Sequence, residues 1–458
     1  MKKILMLVAS IVLVFSLAAC GGNGSSKASG SSESENSGTT NVDNDGNVID
    51  FANLVKPKTT ITVWLDDEKG EYSAELISEF NKIYPDINVD FTHKGSVDSR
   101  EALKTYGPSG NGCDVFQFPH DQLASAIKED LVYTLSDDLK DELAKTLDPT
   151  ALDIATVSYN EATKSFETGA GSSEKLFAVP MSVESVFIFY NKDLVTEEQA
   201  ESFKTFSAIE SAATAWQEKN DGYYLGTTSH WADAYFSQFA LSVDGSDNGW
   251  RPFGTNGNDK SSVGYANTTS QLAWMTEHLK PITTGIGNAD SVDGGAKFEA
   301  GTLPLVLGGP WNIEAFNKAE GLNYGAIETP SINGKESKSY TGAIMAAVYK
   351  KSKHPEEASK FVEFLASEKA MEIQYKYKGK LPALKSDLYP AEVLDDDILM
   401  VMAAQLSHTF PMPTIPSVNS YWGPAQKMIE QVWNDGVDPA TAAATAETSY
   451  ASNEGLEQ

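Results

Sequence analysis

TTITVWLDDEKGEYSAELISEFNKIYPDINVDF, residues 59–91, is the stretch whose reading decides the fold. Thr59 to Leu65 is β-branched and apolar without a break, as a buried strand requires. Tyr72, Leu76, Ile77, Phe80, Ile83 and Tyr84 then fall on one helical stripe, and Pro85 stops the helix. Ile87, Val89 and Phe91 alternate with polar residues, the period of a strand. A strand, a helix and a strand in this order normally make a parallel sheet.

The same alternation continues outward. Cys113 to Phe118 (CDVFQF) reads as a short strand, Leu176 to Tyr190 as a strand pair around Pro180 and Glu184, and Leu303 to Leu307 as a strand before Gly308-Gly309-Pro310. Pro355 opens a helix with Ala358, Phe361, Val362 and Leu365 on one face. A further helix runs from about Lys369 to Gly379, and a late one over Trp422 to Val437. The chain shows no internal repeat and no heptads. It is an α/β protein, and open α/β sheets bind ligands in a crevice at the carboxyl ends of their strands.

The ends carry different information. Lys2 and Lys3 precede an apolar run, Ile4 to Val14, which is too short to span a bilayer. It ends in Leu17-Ala18-Ala19-Cys20, which resembles the bacterial lipobox, in which the thiol is acylated and becomes the mature N-terminus. Gly21 to about Asn47 is Gly, Ser, Asn, Asp and Glu with almost nothing to bury, as expected of a flexible tether on an anchor. Cys113 is the only other cysteine, so the mature domain has no internal disulfide, and Cys113 is expected in the core. The formal charge of -29 argues against nucleic acid or anionic lipid as a partner and suits a neutral ligand.

Familiar enzyme constellations are missing. The chain has no G-x-S-x-G, no H-E-x-x-H and no P-loop, and its 6 histidines have no metal-ligand spacing; no metal or cofactor is expected. A glycosidase carboxylate pair is not selected by anything in the sequence. The 8 Trp, 18 Tyr and 20 Phe say more. Sugars present apolar C–H faces, on which aromatic rings pack, and a rim of hydroxyls, which carboxylates, amides and lysines bond. Several loop segments here mix those residue types.

Five of them, ITVWLDDEKG (61–70), DVFQFPHDQL (114–123), LFAVPMSVESVFIFYNKDL (176–194), FEAGTLPLVLGGPWN (298–312) and MPTIPSVNSYW (412–422), resemble the maltose/maltodextrin-binding proteins of ABC importers, within the family 1 extracellular solute-binding proteins. They lie in that family's order and cover nearly all of the mature domain. The resemblance implies two α/β lobes of the periplasmic-binding-protein type around a ligand cleft, joined by a three-segment hinge. The crossings are expected near Val183-Glu184, Thr341-Gly342 and Ala383-Leu384. Signal peptide (1–20) and tether (21–57) then precede one lobe of 58–183 plus 342–384 and another of 184–341 plus 385–450.

The resemblance also implies a site. Lys69 matches a lysine that bonds sugar hydroxyls, with Asp66 and Glu68 beside it. Phe118 stands where the family has a tryptophan, and Gln122 where it has an arginine. Asp121 matches a hydroxyl-binding aspartate and also suits a helix N-cap. Glu184 matches a hinge glutamate that bonds the ligand. Tyr235 and Asp233 match a stacking tyrosine and an acidic neighbour, with Trp231 a competing stacker. Trp311 and Trp422 match stacking rings, Tyr421 sits beside the second, and Trp64, mid-strand, is expected in the core. The expectation is a monomeric, non-catalytic lipoprotein on the outer face of the cell membrane. It captures maltotriose or a longer maltooligosaccharide and hands it to the permease subunits of an ABC transporter. Two alternatives remain: the same fold with a fructo-, galacto- or xylo-oligosaccharide, and a secreted glycosidase.

Overall fold

The computed structural model describes residues 58–166, 171–228, 252–253, 261–283 and 293–455. Cys20, the tether, Trp231, Asp233 and Tyr235 lie outside them. The opening stretch folds as its pattern predicts. Strand β1 (Thr59–Leu65) leads into helix α1 (Glu71–Ile83), which buries Tyr72, Leu76 and Phe80, and then into β2 (Ile87–His93). β1 pairs in parallel with β2 on one side and with β3 (Val115–Pro119) on the other. β2 ends the sheet, so only its first residue, Ile87, is buried, and Val89 and Phe91 are half-covered.

The remaining strands are β4 (Thr156–Tyr159), β5 (Ser173–Leu176), β6 (Val179–Glu184), β7 (Phe187–Asn191), β8 (Leu225–Thr227), β9 (Leu305–Gly308), β10 (Tyr324–Ile327), β11 (Ser339–Val348), β12 (Leu381–Pro382) and β13 (Thr409–Pro411). They make two larger sheets, with β4 and β5 pairing apart as a hairpin. The seven-stranded sheet runs β12-β6-β11-β3-β1-β2, with β13 added beside β11. The four-stranded sheet runs β10-β7-β9-β8.

The strand pair read from Leu176 to Tyr190 is therefore split between sheets. β6 ends in the first at Glu184, and β7 starts in the second at Phe187. The chain returns between β10 and β11. After β12 the strand β13 still pairs with β11 of the first sheet, and the helices Trp422–Trp433 and Pro439–Glu454 then bury their faces in the core of the second. The passages at β6–β7 and β10–β11 are pinned together, because Ser185 Oγ lies 2.7 Å from Ser339 Oγ and donates to the Tyr340 carbonyl at 3.0 Å.

Helices cover both sheets. Pro355–Leu365 buries Ala358, Phe361, Val362 and Leu365. Glu368–Lys378 packs on α1 and ends at Gly379, whose φ of 58° is left-handed, the usual stop for a helix. Trp64 is 7% exposed and Cys113 3%, both in the core. Several elements escaped the pattern reading, among them the strand β11, the helix Phe206–Gln217 and the helix Pro439–Glu454; in that last helix the reason is plain. Its stripe of Ala442, Ala443, Ala446 and Tyr450 is too small and mixed to read as apolar, yet it is buried on the helix Trp422–Trp433. No helix among the described residues is long and apolar enough to cross a membrane.

Candidate functional site

The carboxyl ends of β1, β3, β6 and β9 converge on a cavity of about 280 Å³. β1 delivers Asp66, β3 delivers Gln117 and Pro119, β6 ends in Glu184, and the turn after β9 delivers Pro310 and Trp311. Both sheets therefore contribute, the second through β9. Tyr72, Gln374, Lys378 and Lys380 complete one wall. A second opening of about 340 Å³ shares Asp66, Tyr72, Glu314 and Lys378 with it. Asp67, Glu68, Lys69 and Lys318 line that opening too, with Glu68 and Lys69 exposed at its mouth.

Polar contacts hold the walls. Asp66 accepts from the Ser96 backbone N–H at 3.2 Å and caps the start of α2 (Ser96–Tyr106), while its own N–H donates to Gln117 Oε1 at 3.3 Å. Asp67 accepts from Ser73 N and Oγ at 2.9 and 2.8 Å, with Lys378 at 3.8 Å. Burial works to raise the Asp67 pKa, but the Ser73 bonds and then Lys378 outweigh it, and the carboxyl stays below its ordinary value. Glu184 lies 3.4 Å from the Lys380 ammonium. Trp311 is 44% exposed, a large apolar ring left open beside these carboxylates. It lies over Gly309, where any side chain would collide with the indole.

Of the residues expected from sequence, Asp66, Glu184 and Trp311 meet in this cavity, and Glu68 and Lys69 border the adjoining opening. Three expectations are corrected. Phe118 is fully buried and stacks on Phe116 at 4.9 Å. Strand period puts those two rings on the core face of β3 and Gln117 and Pro119 on the cavity face. Gln122 ties its turn to α2, donating to the Val97 carbonyl at 2.9 Å and accepting from Arg100 Nε at 3.3 Å. Tyr421 is fully buried, stacked on Tyr265, whose hydroxyl donates to the Tyr421 carbonyl at 2.8 Å.

Asp121 and Trp422 do not line this cavity. Asp121 is half-buried in the turn His120–Gln122, which packs on the segment Pro416–Ser420. Trp422, also half-buried, meets Tyr340 and Tyr421 edge-on at 6.4 and 4.6 Å. Beside them His120 Nε2 lies 2.7 Å from Thr414 Oγ1, and Asn419 Nδ2 donates to Ser125 Oγ at 2.7 Å.

Sequence reasoning missed Tyr72, Gln117, Gln374, Lys378 and Lys380. Two signals were available. Gln117 interrupts a strand of aromatic residues with the opposite phase, and Gln374 is a polar residue on the buried face of its helix. Among the described residues no group of His, Cys, Asp and Glu could hold a metal ion.

Two sheets between which the chain passes at β6–β7 and at β10–β11, with a polar and aromatic cavity at their strand ends, define a ligand-binding protein of the two-lobed kind. The chain belongs to the bacterial extracellular solute-binding protein family, whose model matches residues 66–372. It is 27% identical over 452 residues to the galactooligosaccharide-binding protein of Bacillus subtilis, covering 96% of this chain and 94% of the relative. It is also 27% identical over 400 residues to a maltooligosaccharide ABC transporter solute-binding lipoprotein of Streptococcus pneumoniae, covering 85% of this chain and 87% of the relative. Among solved structures it matches the maltose-binding periplasmic protein of Listeria monocytogenes in complex with maltose, with TM-score 0.70 and 23% identity over 87% of this chain and 98% of that one. That likeness shows the fold.

Proposed function

We propose that this chain binds a neutral maltooligosaccharide in the cavity between its sheets, catalyses nothing, and passes the sugar to the permease subunits of an ABC transporter. The observation that carries the reading is the open Trp311 ring facing the same cavity as Glu184 and Asp66, the pairing of apolar face and hydroxyl acceptors that a pyranose needs. The lobes are residues 58–183 plus 342–384 and 184–341 plus 385–450; the passages from β6 to β7 and from β10 to β11 support the first boundaries, and burial of the helices Trp422–Trp433 and Pro439–Glu454 in the second core supports the last. Sugar touching both lobes favours their closed arrangement by its difference in affinity for the two states. The protein acts as a monomer held outside the membrane by lipid on Cys20. The maltooligosaccharide-binding relative from Streptococcus pneumoniae supports the ligand, and its description as a lipoprotein supports the anchor.

A galactooligosaccharide is the second reading, favoured by the relative from Bacillus subtilis, equally identical over a longer span. Calorimetry against maltotriose, maltoheptaose and galacto-, fructo- and xylo-oligosaccharides separates the two. A hundredfold excess over Kd should also stabilise the fold by about 2.7 kcal/mol. Binding of a galactooligosaccharide with no response to any maltodextrin overturns the first reading. Shortened products after incubation with maltoheptaose would overturn the non-catalytic one.

A further inference from the structure

Two residues that line the cavity each carry a buried polar atom with no hydrogen-bond partner among the described residues, the Tyr72 hydroxyl and Gln374 Oε1. Tyr72 is 1% exposed and Gln374 3%. They come from α1 and from the helix Glu368–Lys378, which pack on each other, so adjacent helices present both to one wall. The polar groups around them are engaged: Glu184 with Lys380, Asp66 with Ser96, Gln117 with the Asp66 N–H, and the Tyr377 hydroxyl with Glu75. Proteins rarely leave buried polar atoms unbonded, and those that persist call for an explanation.

We propose that Tyr72 and Gln374 form a hydroxyl-reading subsite, in which an uncharged sugar ring donates a hydrogen bond from one hydroxyl to Gln374 Oε1 and makes a second with the Tyr72 hydroxyl. The inference rests on the sugar-binding reading above and names what selects the sugar. The last torsion of a glutamine is soft, so the amide turns into the cavity at little cost. Burial, and then the Asp67 charge, push the Tyr72 pKa upward, so its hydroxyl stays a neutral donor. A site built to bond a hydroxyl rejects the analogue that lacks it, because its own polar groups are then left unpaired.

Tyr72→Phe and Gln374→Met each delete the unpaired group and keep most of the shape. Affinity for the sugar that the unaltered protein binds best, measured by calorimetry, should fall about tenfold or more in each variant. Urea unfolding without sugar should show equal or higher stability, because an unbonded buried group has been removed. A set of monodeoxy sugars should include one that loses affinity for the unaltered protein and not for Tyr72→Phe. Affinities within about threefold of the unaltered protein in both variants overturn the subsite and leave the sugar reading standing. Parallel losses of affinity and unliganded stability overturn it in favour of a purely structural role. If the unaltered protein binds no sugar of the panel, both readings fall.

Discussion

The Lys380 ammonium lies 3.4 Å from the Glu184 carboxylate, which ties the residue ahead of β12 to the residue that ends β6. Both side chains are mostly covered, at 16% and 13% exposure. The pair sits where the chain leaves the first sheet for the second, so it belongs to the cavity and to the passage between the sheets at once.

Removing one partner of a covered pair strands the other charge. Lys380→Met should therefore lower unliganded stability by about 1–3 kcal/mol, and Glu184→Gln on top of it should recover most of the loss. A double-mutant cycle by urea unfolding reads the coupling. Additive losses would show the two groups to be independent.

Trp311 and Phe118 should respond in opposite ways. Trp311→Ala removes an open ring, so sugar affinity should fall by about 2 kcal/mol, roughly thirtyfold, with little change in unliganded stability. Phe118→Ala empties a packed core position and should cost about 3–5 kcal/mol of stability with sugar affinity nearly unchanged. Calorimetry and urea unfolding on the same two variants decide it. Trp311→Ala unfolding as easily as Phe118→Ala would move Trp311 to the core.

Stability should also fall on mild acidification. His120 is buried, its Nδ1 has no partner among the described residues, and burial pushes its pKa down to about 4 from an ordinary 6.5. Between those values the unfolded chain binds the proton and the folded one does not, so stability rises with pH across that window. Going from pH 7 to pH 4 should cost up to about 3 kcal/mol from this group. Asp67, with its pKa held below the ordinary carboxylate value, adds a loss that begins only at lower pH. His120→Gln should flatten the upper part of the profile measured by urea unfolding at a series of pH values. An equal slope in the variant would assign the dependence elsewhere.

Cys20→Ala tests the anchor. The variant should appear in the medium or keep its leader, while the unaltered protein fractionates with membranes. Identical membrane fractionation of both would rule out acylation at Cys20.

Much of the fold was legible because its elements are locally consistent. The apolar run at Thr59, the stripe through Tyr72, Leu76 and Phe80, Pro355 and Gly379 each mark structure within a few residues. The helix Pro439–Glu454 was not legible, because the alanines on its buried face contrast little with the alanines and threonines on its exposed one.

The site divides along the same line. By sequence alone, the apolar patterns placed the strands of an α/β protein, whose ligands bind at strand ends, and the resemblance supplied the family and pointed to Asp66, Glu184 and Trp311. Only the tertiary structure decided which neighbours face the cavity. Phe118 and Gln117 are adjacent in the chain, yet one is core and the other lines the wall, since a strand turns successive side chains to opposite faces. Tyr72, read from its stripe as packing, reaches the cavity only because α1 lies against the helix Glu368–Lys378, about three hundred residues later in the chain. Contacts of that range depend on how the two sheets and their helices assemble, and no local pattern in the sequence encodes them.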